Sequence, residues 1–80
     1  MDKSIYSKEY KTVISLLKQA RLDAGITQEE MAVRLDSTQT FVSKCERCER
    51  RLDIVEVRAF CRAINMELSD FVALFELALK

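Results

Sequence analysis

A chain of 80 residues with no proline and one glycine has almost none of the punctuation that strands and hairpins require. Leu, Ala, Glu, Lys, Arg and Gln are plentiful instead, and these residues lose little freedom in a helix. The expected fold is therefore all-α, a compact arrangement of five helices in a single domain spanning residues 1–80. Capping residues divide the chain. Ser7 is a cap for a first helix with Tyr10, Val13, Ile14, Leu17 and Ala20 on one face, and Gly25 ends it in a left-handed backbone. Thr27 and Glu30 have the spacing of a capping box for a second helix, whose inward stripe is Met31, Ala32 and Leu35. Asp36 and Ser37 break that pattern, and Ser37 or Thr38 caps a third helix with Val42 and Cys45 inward. Residues 49–52 form a linker. Asp53 and Glu56 make a second capping box, for a helix whose stripe is Ile54, Val57, Phe60, Cys61 and Ile64, with Asn65 as terminator.

The fifth helix, Leu68 to Leu79, is apolar around more of its circumference than one small core covers. Phe71, Val72, Leu74, Phe75 and Leu79 are accordingly expected at a homodimer interface, since a large uncovered stripe invites association. Residues 1–6 are expected as a flexible arm. So short a chain buries only about 60–65% of its unfolded surface.

The outer side of the second and third helices carries the chemistry. Gln39, Thr40, Ser43 and Lys44 are hydrogen-bonding side chains of the kinds that read base edges or grip phosphates. Arg47, Arg50 and Arg51 follow as a basic patch. Net charge is zero, with thirteen basic and thirteen acidic residues, but the charges are segregated. Residues 1–21 hold five basic against two acidic, 22–40 one against four, 41–64 six against four, and 65–80 one against three. One basic face on a neutral molecule follows, so double-stranded DNA remains a partner.

Other classes find little support. There is no histidine, no phosphate-cradling glycine loop and no nucleophile with a recognisable base, so an enzyme is not expected. Cys45, Cys48 and Cys61 fall short of the four ligands zinc normally takes. No metal or cofactor is expected, and Cys45 and Cys61 read as small core residues in a reducing compartment. Without an apolar run of membrane-spanning length, or a signal-peptide core at the start, a cytoplasmic protein is expected.

In order and spacing, Leu17-Lys-Gln-Ala-Arg21, Gly25-Ile-Thr-Gln-Glu-Glu-Met-Ala32, Leu35 and Ser43-Lys-Cys-Glu46 resemble the Cro and lambda-repressor-like helix-turn-helix regulators, the xenobiotic-response-element family. The resemblance spans about residues 13 to 72. It implies a five-helix domain with the helix-turn-helix at helices 2 and 3, binding a pseudo-palindromic operator as a homodimer and acting as a transcriptional repressor or regulator. By resemblance, the recognition helix, about 38–47, lies in the major groove. Thr38, Gln39, Thr40 and Lys44 would then face the bases, Thr27 and Gln28 lie by the phosphates, and Ser43, Arg47, Arg50 and Arg51 secure the backbone. Phe41 would contact a thymine methyl or a sugar. Gln39 suits adenine N6 and N7, and Lys44 suits guanine O6 or N7. Arg21 and Glu46 would form a structural ion pair. Two residues depart from the family: Asp36 stands where glycine is frequent in the turn, and Cys48 where glycine usually ends the recognition helix. An alternative use of the fold is a protein-interaction module, such as the antitoxin of a toxin–antitoxin pair, with a protein partner.

Overall fold

The computed structural model describes residues 7–80, and the expected arm at 1–6 lies outside the described residues. Among the described residues there are five helices and no strand: α1 Lys8–Asp23, α2 Gln28–Arg34, α3 Gln39–Glu46, α4 Ile54–Ala63 and α5 Leu68–Ala78. Side chains define four of the starts. Ser7, Thr27, Thr38 and Asp53 accept the backbone N–H of Tyr10, Glu30, Phe41 and Glu56 at 3.0, 3.0, 3.1 and 2.8 Å. Both capping boxes form, with Glu30 and Glu56 reaching back to the cap residues. Thr38, rather than Ser37, caps α3. Only α5 starts without a side-chain cap, at Glu67.

The helix ends share one device. Gly25, Asp36, Cys48 and Asn65 take φ of 73°, 53°, 59° and 60°, all left-handed. Each of α1 to α4 then closes with the same bond pair, as at α1, where Gly25 N–H meets Leu22 O at 3.0 Å and Ile26 N–H meets Arg21 O at 3.1 Å. At α2, α3 and α4 the outer bonds run from Ser37 to Ala32, Glu49 to Lys44 and Met66 to Cys61. Both departures from glycine are thus accommodated: Asp tolerates this geometry through its short polar side chain, and Cys48 adopts it with its Cβ in place.

Ile14, Leu17, Met31, Val42, Cys45, Val57, Phe60, Cys61 and Phe71 meet in the core, joined by Ile26 and Leu52. These last two fall in joints, and the helical stripes do not reveal them. Leu52 is held from α1, because its N–H donates to the Tyr10 hydroxyl at 2.8 Å. Ile54, expected in the α4 stripe, is instead 64% exposed. It occupies the first turn and lines an open groove with Val57, Phe71 and Val72.

Of the interface set expected on α5, only Phe71 is corrected, while Val72, Leu74 and Leu79 remain exposed. Phe71 is buried in the domain's own core. Val72 and Phe75 line a groove of about 270 Å³ with Val13, Ile54, Val57 and Leu68. Leu74 lines a different one, about 330 Å³, with Leu16, Ala20, Ile64 and Met66. Leu79 sits by the start of α1, near Lys8 and Thr12. Residues advance about 100° around a helix, so Val72 and Leu74 fall on opposite flanks of the Phe71 anchor.

Candidate nucleic-acid interface

The joint between α2 and α3 is four residues long, and its left-handed Asp36 sets the angle between them. This brings the start of α2 beside both ends of α3. Arg21, on α1, is buried, and its guanidinium grips Glu46 at the end of α3 through Nε at 2.6 Å and Nη2 at 3.0 Å. Its Nη1 donates to Ile26 O at 2.6 Å, so each nitrogen of the guanidinium has a partner. Such a pair orients helices more than it adds net stability. Glu46 Oε1 also accepts from Gln28 Nε2 at 2.9 Å, and Gln28 Oε1 accepts from Gln39 Nε2 at 3.5 Å. A chain of polar contacts thus runs from the interior to the outer surface of α3.

On that surface Thr38, Gln39, Thr40 and Lys44 are exposed together, and Gln28 and Ser43 are half-buried beside them. Thr27 stands at the same edge, its hydroxyl engaged with Glu30 in the capping box. Sequence reasoning gathered these residues, and the fold brings them to one side. Three others are committed elsewhere. The Phe41 ring packs on Phe60, with centroids 6.1 Å apart and planes at 44°. The Arg50 guanidinium carbon lies 4.8 Å from the Phe41 centroid, and its Nη2 pairs with Glu56 Oε2 at 2.8 Å. Arg47 bonds Glu49 at 2.9 and 3.2 Å and also donates to the Ser43 hydroxyl. The basic patch is therefore partly neutralised, and Arg51 and Lys44 are its exposed remainder.

The electrostatics follow these pairs. The Glu56 carboxyl is held below its ordinary value by Arg50, then by the Asp53 N–H. Arg50 is shifted upward chiefly by its bond to Glu56, and Glu49 downward by Arg47. Burial pushes the Cys45 thiol up to about 11, and it also raises Cys61. Neither has the lowered pKa of a reactive cysteine. All three cysteines are free thiols, and among the described residues no group of three or more Cys, Asp or Glu gathers as a metal site. No helix among the described residues is long and apolar enough to cross a membrane.

Sequence reasoning missed Tyr10 and the pairing role of Glu56. Tyr10 looked like an ordinary core residue, yet its hydroxyl accepts from Leu52 N–H and donates to Arg50 O at 3.4 Å, tying the linker to α1. Glu56 already had a task as a cap. Its second partner, Arg50, lies six residues back in a joint whose shape no periodicity describes.

Two short helices joined through a left-handed turn, with an outward polar row on the second, define the class as a helix-turn-helix domain. Residues 15–74 match the family model described as a helix-turn-helix domain, and the chain belongs to that family, among the Cro and lambda-repressor-like regulators. Among solved structures it is similar to an XRE-family-like protein from Pseudomonas syringae pv. tomato. That chain is 42% identical over 99% of this chain and 96% of its own, with a TM-score of 0.87. It is also similar to the wild-type restriction-modification controller protein C.Esp1396I, at 27% identity over 92% of this chain and 99% of that one, TM-score 0.83. The tetramer of that controller in complex with its natural 35-base-pair operator gives 26% identity, coverage of 86% and 91%, and a TM-score of 0.80. The curated proteins give no match.

Proposed function

We propose that this protein is a sequence-specific double-stranded DNA-binding transcriptional regulator that acts as a homodimer. The observation that carries the reading is the exposed row Thr38, Gln39, Thr40 and Lys44 on α3, in a fold shared with a controller solved on its operator. In this reading α3 enters the major groove, with Gln39 and Lys44 contacting base edges. Thr27, Gln28, Ser43, Arg47, Arg50 and Arg51 lie along the backbone. Arg47 and Arg50 exchange Glu49 and Glu56 for phosphates when they do so, which lowers the net gain from each. Two subunits would read half-sites about 34 Å apart. The dimer face is the flank of α5 carrying Val72 and Phe75, together with Ile54 and Val55 at the start of α4, which are 64% and 72% exposed.

The test is selection of bound duplexes from a random pool, with sedimentation to count subunits. An enriched inverted repeat bound by a dimer is the expected result. Arg50→Ala should then weaken all duplexes alike, whereas Gln39→Ala should alter the preference among them. A second reading, a module that holds another protein, is favoured by the separate Leu16, Ile64, Met66 and Leu74 groove on the other flank of α5. Failure to enrich any sequence would promote it.

A further inference from the structure

One apolar surface lies outside both the polar row on α3 and the face assigned to the dimer. α1 and α5 leave beside them a groove of about 330 Å³ walled by Leu16, Ala20, Ile64, Met66 and Leu74, with Gln19 and Asp23 at its rim. Leu74 is 45% exposed there. None of these residues belongs to α2 or α3, so an occupant leaves the row on α3 open. Resting on the reading of this flank as a surface that holds another protein, we propose that the groove is a docking site for an amphipathic helix of a second protein, with lysine or arginine bordering its apolar stripe.

Shape and charge both select that occupant. A groove walled by helices offers no unpaired strand edge to an extended segment, whereas a helix fills it with apolar residues at i, i+3 or i+4 and i+7. Leu16 and Asp23 are separated by about 10 Å of rise along α1, which two turns of a helix span. The rim is acidic. Asp23 ends α1, where the negative end of the helix dipole adds to its charge, and Asp70 stands one turn before Leu74 on α5. Asp23 accepts from the neutral Gln19 amide at 2.8 Å, and among the described residues no cation pairs with Asp23 or Asp70. Glu67 has Arg62, at 3.7 Å. Residues 65–80 hold one basic against three acidic, so a second copy brings mostly acid to this face, and DNA brings more. A basic amphipathic helix gains apolar burial and opposite charge together.

The experiment titrates the full chain with two synthetic helices of about four turns that share one leucine stripe and carry either lysine or glutamate along its borders. The lysine peptide should bind about five- to tenfold tighter than the glutamate peptide, with backbone shifts centred on Ala20, Ile64, Met66 and Leu74. Leu74→Lys should weaken it about tenfold, and Asp23→Lys combined with Asp70→Asn should abolish the preference for lysine, both variants keeping the duplex preference of the wild type. Equal binding of the two peptides in this groove would leave a protein-holding surface and overturn the basic partner. Absence of shifts there with either peptide would remove the proposal and the reading on which it rests. A smaller subunit count for Leu74→Lys in sedimentation would assign the groove to a second copy and would equally overturn the proposal.

Discussion

Between Thr27 and Glu56 most of the long polar side chains are bonded to another group of the protein, whereas α5 presents aliphatic side chains on two flanks and starts without a cap. The first region is held by directional contacts that fail when an atom is misplaced. The second is held by one anchor, Phe71, and its outer residues are free of geometric demands. Such a contrast suits a molecule with one surface that must match a fixed pattern of donors and acceptors and another that needs only apolar area.

Substitutions can break this contrast, and the largest effect belongs to the polar region. Arg21→Met strands the Glu46 charge inside the protein and should lower unfolding stability by about 3–5 kcal/mol in urea melts. Tyr10→Phe leaves the Leu52 N–H without its acceptor and should cost about 1–3 kcal/mol by the same measurement, with the linker loosened in hydrogen exchange. Cys48→Gly acts in the opposite direction. Removing the Cβ from a left-handed residue should stabilise by up to about 1 kcal/mol, seen as a higher melting temperature. At the other extreme, Leu77→Gln changes a 66% exposed residue and should shift stability by no more than about 0.5 kcal/mol. A larger shift there would show that the outer side of α5 is packed against something in solution, and the contrast would need redrawing.

Much of this was legible in the sequence, for a physical reason. Helix starts and stops are set by neighbours three to six residues apart, so Ser7, Thr27, Asp53, Gly25 and Asn65 announce them locally. The Arg21–Glu46 pair was reached through family resemblance, since nothing local joins residues 25 positions apart. What escaped lies in the joints and in the assignment of faces. Leu52 is buried because Tyr10 holds the linker down, which no periodicity encodes. Arg50 looked like a phosphate grip because its sequence neighbours are basic, while its spatial neighbours are Phe41 and Glu56. Leu74 and Val72 looked like one stripe because both are apolar, yet they line two separate grooves, Val72 with Val13, Ile54 and Val57, and Leu74 with Leu16, Ala20 and Ile64.

The left-handed closures at Gly25, Asp36, Cys48 and Asn65 bear on how the chain reaches this arrangement. Each is fixed by bonds between residues three and five apart, so the corner is formed by the segment that contains it. The search for the native state then becomes the docking of a few short rods already bent at their ends. The corners themselves close only short loops, and folding on the microsecond to millisecond scale of helical domains is the expected pace.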